Sequence, residues 1–600
     1  MTTIRKFLFL IFSFFLIVGR AQQDTVRLNE VTLTTNRISL PGFKTSRTVT
    51  LITAAEIQKY AARNLTDLLQ QVAGIDIRPR GLDDTQSDVY IRGGNFEQVL
   101  ILIDGIKMDD PQTGHHSMNA ILSLDNIERI EIIKGPAARV FGQNAFTGAI
   151  NIITKKHTWN SIRPALSYGS YNSFKAGLGF GVKTKNGGLQ LHAQRHTSDG
   201  YRENSDFKNH AFFLKYNQKN TEFLAIYNSR HFGAENFYTS NPLFKEYEET
   251  QTSLMAFTLR GELKNFQITP RISWRRNQDL FLLIRNDPSF YRNLHISNKL
   301  SAEVNTVLSS KIGKTGFGVD LTKVFLVSNR LGDHERLMFT SFLEHRFQAG
   351  DFDATPGIAI SYFSDFGTRA FPGLDMGYAL SDKLKLYGNI GYTYRIPTYT
   401  DLYYSDPTSE GNPDLKPESA LSEELGFRLF LPQIDFNVAL FNRNSDDLID
   451  WARDSEQDKW QARNFNKVTT KGLEATINYR FKINNRDQQV NVSYNYIDDH
   501  ILNAGVAFTR YSLNSLKHQF ILGLNNGFTA FLSQSIDFRY VERTDGQHYN
   551  LVNWKLQAAG KKYRVFALVN NIFDTRYTGA NLVPMPGINV LFGLDYKFNY

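Results

Sequence analysis

The chain has no cysteine in 600 residues. That excludes a disulfide framework, a Cys-ligated zinc, a thiol nucleophile and a lipid-bearing cysteine. Past Val18 it also lacks any apolar run near the roughly 18 residues a membrane-spanning helix needs. Mean hydropathy is −0.34 although 42% of residues are hydrophobic. This leaves a soluble β protein, or a transmembrane barrel whose apolar residues are diluted by a polar one at every second position. Tryptophan is scarce at 5, while Phe (46) and Tyr (28) dominate the aromatics, which favour strands and membrane-interface girdles. The net charge of +9 is scattered with no Lys/Arg block, so no nucleic-acid partner is expected. No Ser/His/Asp set, metal spacing or carboxylate pair argues for an enzyme. Gly93, Gly94, Gly135 and Gly142 do not form a phosphate loop, because the Gly-x-x-x-x-Gly-Lys-Ser/Thr pattern is absent. They are expected at tight turns.

What is present begins with a leader. Arg5 and Lys6 precede the apolar run Phe7 to Val18, and Gly19-Arg20-Ala21 supplies small residues at a signal-peptidase site. Residues 1–21 are expected to be a signal peptide. At the other end, Ile588, Val590, Phe592, Leu594, Tyr596, Phe598 and Tyr600 share one face of a strand. Asn589, Leu591, Gly593, Asp595, Lys597 and Asn599 lie on the other, the alternation of a strand with lipid on one side and a mostly polar face toward the lumen on the other. The same rhythm recurs at 176–183, 189–194, 384–395 and 552–558, with turn signals such as Asn186-Gly187-Gly188 between runs. From residue 158 onward, about 440 residues at roughly 20 per strand and turn make about 22 antiparallel strands, a barrel wide enough to need a plug.

Residues 45–157 break this rhythm. Thr53-Ala-Ala-Glu56 is a capping box, and Leu65, Leu68, Leu69 and Val72 have helical spacing stopped by Gly74. Val99 to Ile103 is a continuous apolar strand, and Ile130 to Ile133 is read as another strand. The reading is an α+β domain held inside the barrel, after a linker at 22–44.

These stretches resemble the TonB-dependent outer-membrane receptors. The resemblance rests on "NLTDLLQQVAGIDI" from Asn64, "VYIRGGNFEQVLILIDGIKMDDP" from Val89 and "IERIEIIKGPAARVFGQNAFTGAINIITKK" from Ile127. In the barrel it rests on "YRIPTYTDLYYSDPTSEGNPDLKPE" from Tyr394, "NNIFDTRY" from Asn570 and the aromatic C-terminus. It implies an outer-membrane location, transport of a small molecule, and TonB of the inner-membrane energy-coupling complex as partner. The physical logic agrees, since an outer membrane has neither ATP nor a useful ion gradient. "LNEVTLTTNR" from Leu28 is similar to the segment that binds TonB, which assigns Glu30, Val31, Thr32, Leu33 and Thr34 to that contact. Alternating Val31 and Leu33 suit strand addition to a partner's sheet edge. An inert linker is the alternative. The resemblance further implies that Arg92, Glu128, Glu131, Lys134 and Arg139 tie the plug to the wall, with solvated surface charges as the alternative.

Ligand identity is the least determined point. The polar loop Asp109 to Asn119 lies between two plug strands, and in the family such a loop rises toward the outside. Gln112, His115, His116 and Asn119 are the expected ligand contacts. Adjacent His115 and His116 point to opposite sides on an extended chain, which argues against their sharing one metal, and loop hydrogen bonding is the plainer reading. The resemblance implies that a haem-binding member would carry a His between the two barrel motifs, and 396 to 416 has none, which lowers the haem reading. Size and plug pattern are similar to those of the cobalamin-transporting members. Cobalamin or a related corrinoid is the first expectation, and a ferric siderophore or other iron chelate the second. A non-transporting surface receptor or a porin would be a different class. No cofactor is expected, and calcium at Asp199, Glu203 and Asp206 is left open.

Overall fold

The computed structural model describes residues 44–600 apart from 84, 157–158, 240, 242, 503–507 and 511–514, together with 32–33, 38 and 40–41. The expected leader, and Glu30, Val31 and Thr34, lie outside the described residues.

Period-two alternation builds a closed antiparallel barrel of 22 strands. It runs from Ser161–Gly169 to Asn589–Tyr596, and these two strands pair to close it, with Ala165 opposite Asp595 and Gly169 opposite Leu591. Closure leaves no unpaired edge, which a lipid environment requires. Leu178, Leu425 and Phe592 point outward and exposed, whereas Asp375, Glu424 and Glu474 point inward and are buried. One end of the barrel carries short turns, such as 185–186, 219–220 and 484–485. The other carries longer connections at 199–206, 234–246, 396–417 and 571–588. In outer-membrane barrels the short turns are periplasmic and the long loops extracellular.

The lumen holds a five-stranded sheet ordered Val49–Thr53, Ile127–Lys134, Gly148–Thr154, Val99–Ile103, Ile106–Lys107. Val99–Ile103 pairs parallel with Gly148–Thr154, and a strand buried on both faces reads as the unbroken apolar run seen in the sequence. Its Ile101 and Ile103 pack with Leu65, Leu68 and Leu69, while Leu100 and Leu102 pack with Val140 and Phe141. The Thr53–Glu56 capping box is formed in full and opens the helix Ala54–Ile57. The helix Leu65–Leu69 is shorter than the apolar spacing suggests. Val72 follows it in turns, and Gly74 takes φ +73° with its Cα against Glu474 of the wall. Gly93 likewise has φ +74° where an added Cβ would lie 3.1 Å from Asp499. Both are turns at close approach to the barrel.

Thr32–Leu33 is extended, as its alternation suggests, but it is not waiting unpaired. It forms a two-residue antiparallel ladder with Leu40–Pro41. An extended segment with open backbone groups takes the nearest extended chain as partner. Just beyond, the Ile38 N–H donates to Glu344 of the wall at 3.0 Å.

Candidate ligand site and plug–barrel interface

The plug meets the wall through buried ion pairs spaced round the lumen. Arg92 donates to Glu424 at 2.6 Å and Glu474 at 3.3 Å. Lys134 pairs with Glu474 and also donates to the Ala73 carbonyl at 2.6 Å. Arg139 forks onto Asp375 at 3.0 and 2.7 Å, and Arg47 forks onto the same carboxylate. Glu128 and Glu131 differ from the other residues expected at the interface. Both carboxylates pair with Arg129 of the plug itself at 2.8 Å. The apolar character of Ile130, Ile132 and Ile133 marks a buried strand but does not say which of the flanking charges faces a neighbour.

The loop 109–119 is anchored at nearly every polar side chain. Asp109 takes Lys299 at 2.5 Å, and Asp110 takes Arg275 at 2.8 Å. Gln112 donates to Asp279 at 2.9 Å, and His116 Nε2 lies 3.3 Å from the same carboxylate. His115 turns the other way, to Asp88 of the plug at 2.7 Å, and stacks on Phe96 at 4.1 Å. The two imidazoles thus diverge. Asn119 joins His116 Nδ1 at 3.0 Å and accepts from Arg230. All four residues are buried, so in this arrangement none is open to solvent. Burial pushes His115 below its ordinary value and Asp88 only partly offsets this. For His116 burial acts the same way, but Asp279, Asp110 and Glu248 together outweigh it and the net shift is upward.

Over this loop lies a strap that sequence reasoning did not place. Residues 396–417 fold into the mouth, and their helix Tyr399–Tyr403 opens on a Thr398–Asp401 capping box. Its first N–H groups, on Tyr399 and Thr400, donate to the Pro111 and Gln112 carbonyls at 2.9 and 3.0 Å. Ile396, Tyr399, Leu402 and Leu415 pack with Val324, Leu326 and Trp451 of the wall. Arg395 binds strap, plug and wall together through Asp401 at 3.1 Å, Glu418 at 2.8 Å and Glu97. One guanidinium serves three carboxylates there. Burial, opposed by Arg395 and reinforced by Asp401 and Glu418, pushes Glu97 up to about 8. Beside this node is a polar cavity of about 40 Å³, with Arg78, Tyr90, Asn95, Arg443 and Asp499 in its lining. That is room for about one water.

The acids Asp199, Glu203 and Asp206 do not converge. They engage Asn172, Lys245 and Arg285 respectively. Among the described residues no group of three His, Asp or Glu is arranged to hold a metal.

Comparison with known proteins decides the family. Residues 142–582 match the model "TonB dependent receptor-like, beta-barrel", and residues 41–149 match "TonB-dependent Receptor Plug Domain". The chain belongs to the TonB-dependent receptors. It is therefore an outer-membrane transport protein and not an enzyme, and its partner is TonB. Similar relatives include the vitamin B12 transporter BtuB of Vibrio vulnificus (strain CMCP6), 26% identical over 480 residues, or 76% of each chain. BtuB of Photobacterium profundum is 22% identical over 78% of each chain. Among solved structures, the siderophore receptor PirA from Acinetobacter baumannii superimposes with TM-score 0.74 at 16% identity, over 93% of this chain and 99% of that one. A variant of the ferric enterobactin receptor PfeA from Pseudomonas aeruginosa gives 0.76 at 18%, over 95% and 100%. At such identities the superpositions speak for the fold alone.

Proposed function

We propose that this receptor takes up cobalamin or a related corrinoid. The observation that carries the reading is the extended sequence similarity to vitamin B12 transporters across plug and barrel. The amide, imidazole and hydroxyl groups of loop 109–119 suit a large neutral ligand rich in donors and acceptors. On this reading Gln112, His115, His116 and Asn119 meet the ligand once the strap 396–417 lifts, since the strap holds the Pro111 and Gln112 carbonyls.

One observation favours a second reading, an anionic aromatic iron chelate. At the extracellular mouth Trp460 is flanked by Arg453 at 4.5 Å and Arg510 at 5.1 Å, with Phe508 beside Arg453. Such a set attracts flat, negatively charged rings. Uptake of labelled cyanocobalamin and of a ferric catecholate, by cells with and without TonB, separates the two. TonB-dependent accumulation of the chelate alone would overturn the corrinoid reading. Accumulation of both without TonB would point to a pore.

For coupling, Glu30 to Thr34 would add as a strand to TonB, exchanging the ladder that Thr32–Leu33 makes with Leu40–Pro41. Force on this segment next reaches Arg47 and then Val49–Thr53. That strand is the sheet's outermost, bonded on one side only. An edge strand can be peeled one bonded pair at a time, which needs far less force than shearing a central one.

A further inference from the structure

The short turns at the periplasmic end are not alike. Four successive ones, 185–186, 219–220, 264–265 and 311–312, each open on a lysine: Lys185, Lys219, Lys264 and Lys311. Across the closing seam, the turn 560–562 adds Lys561 and Lys562. All six side chains are exposed, and none makes an ion pair or hydrogen bond with any described residue. The turns of the other half are 350–351, 380–383, 431–433, 484–485 and 528–531. Among them only Lys383 is basic, and Asp382 stands beside it. The long connection 396–417 at the extracellular end is net acidic. The positive charge of the chain is thus gathered under one half of the barrel.

Backbone geometry shows that turn formation alone does not ask for these lysines. Lys219 has φ +49° and Lys264 φ +52°, the left-handed region that asparagine and glycine enter with least strain. Across the barrel Gly350, Asn484 and Asn485 take that conformation. The level of the arc is set by its flanks. Leu263 precedes Lys264 and Ile312 follows Lys311, and they are 67% and 71% exposed. At the seam Lys597 lies over the Trp159 ring at 4.5 Å. Tryptophan collects where headgroups meet acyl chains, and a lysine rooted at that depth extends its ammonium to the headgroups. A soluble anionic partner would leave Leu263 and Ile312 in water. A bilayer surface covers them and meets the lysines with charge at the same time.

We propose that this half of the periplasmic rim binds anionic phospholipid of the inner leaflet, one headgroup to each turn. Successive turns are two strands apart, about 10 Å. That is about one Debye length at 0.1 M salt, so the ammonium groups act as separate points and not as one chelating pocket. Each point needs a single negative charge, which a phosphodiester such as phosphatidylglycerol supplies. The zwitterion phosphatidylethanolamine brings its own ammonium and leaves the lysine uncompensated.

The test is lipid retention by the full-length protein in phosphatidylethanolamine nanodiscs that contain a minor share of phosphatidylglycerol, with retained lipid counted by native mass spectrometry. The wild type should hold phosphatidylglycerol above its bulk share. The fourfold variant Lys185→Gln/Lys219→Gln/Lys264→Gln/Lys311→Gln should lower the preference at each turn about fivefold. Arginine at the same four positions should keep it, and Lys383→Gln, in the other half, should change nothing. Retention at the bulk share by the wild type would overturn the proposal. So would unchanged enrichment in the glutamine variant, or its loss in the arginine variant. Sedimentation with peptidoglycan sacculi, in discs of phosphatidylethanolamine alone, separates a cell-wall partner. Binding there that the glutamine variant loses, without lipid enrichment in the wild type, would give the lysines to that polymer instead. None of these measurements depends on the transported ligand.

Discussion

Glu474 is the residue whose loss should loosen the plug most. It receives both Lys134 and Arg92, and all three side chains are buried. The partners are not equally affected by its removal. Arg92 keeps Glu424 at 2.6 Å, but among the described residues Lys134 keeps a hydrogen bond only to the Ala73 carbonyl, with Glu424 acting on it at longer range. Glu474→Met therefore strands a buried ammonium, a change that costs about 3–5 kcal/mol. An upper bound follows from chemistry, because the lysine can shed its proton instead. From the ordinary value of 10.5, neutralisation at pH 7 costs about 5 kcal/mol, and burial already pulls Lys134 below that value. Lys134→Met should cost less, since Arg92 remains on Glu474. The double variant Lys134→Met/Glu474→Met, apolar at both positions, should return to within about 1 kcal/mol of wild type. Hydrogen exchange in the plug strand Ile127–Lys134 reads this directly. Opening easier by about 3–5 kcal/mol means exchange faster by roughly two to three and a half orders of magnitude. If Glu474→Met exchanges at the wild-type rate, or the double variant is the least protected of the three, the ion pair does not hold the plug in the way argued.

Leu33→Pro removes a backbone donor and fixes φ in the segment proposed for TonB, so cells should bind ligand at the surface yet fail to accumulate it, with Leu33→Ala milder. Accumulation at the wild-type rate would place coupling elsewhere. Replacing Gln112, His115, His116 and Asn119 together by Ala should lower affinity at least tenfold in equilibrium binding while the barrel still assembles; unchanged affinity removes the loop from the site. Docking of the strap 396–417 should weaken as pH rises. Glu97, raised from 4.5 to about 8 in the docked state, holds a proton that it would release when exposed, so the stabilisation is complete below about 4.5 and fades through about 8. Exchange at Tyr399–Tyr403, corrected for intrinsic rates, should therefore rise between pH 6 and 9, and Glu97→Gln should flatten that profile.

The barrel was legible because a strand with lipid on one face and water on the other must alternate, and that pattern survives without knowing any partner. Phe592 and Leu594 outside, with Asp595 inside, follow from it directly. The plug was legible through different signals, namely the Thr53–Glu56 box and the unbroken Val99–Ile103 run of a doubly covered strand. What alternation cannot give is the partner of an inward charge. Asp279 reads in sequence as one polar inward position among many, and only the fold brings it to Gln112 and His116. For the same reason the sequence could not show that Glu131 pairs with Arg129, two residues away on its own strand. The strap was hidden because its helix spans only Tyr399–Tyr403, too short for apolar periodicity to show.

The distribution of contact types round the plug bears on how it can move. On one side the plug core is continuous with Phe213, Leu224, Ile226, Leu254 and Ala256 of the wall, beside the buried Lys215–Asp104 pair, so separation there would expose apolar surface to a wet lumen as well as break an ion pair. On the side of Asp375, Glu424 and Glu474 the contacts are buried ion pairs, and each charge released there can be hydrated once the segment is drawn into the wet periplasm. The chain segment nearest the N-terminus lies on this ionic side, with Arg47 on Asp375 and the Thr48 N–H donating to Glu424 at 3.0 Å. A pull from the periplasm therefore acts first where contacts can be exchanged for hydration and last where they cannot. The contact geometry favours peeling of Arg47 to Thr53 from the wall and sheet edge, with the remainder of the plug still seated on its apolar side, over ejection of the domain as one body.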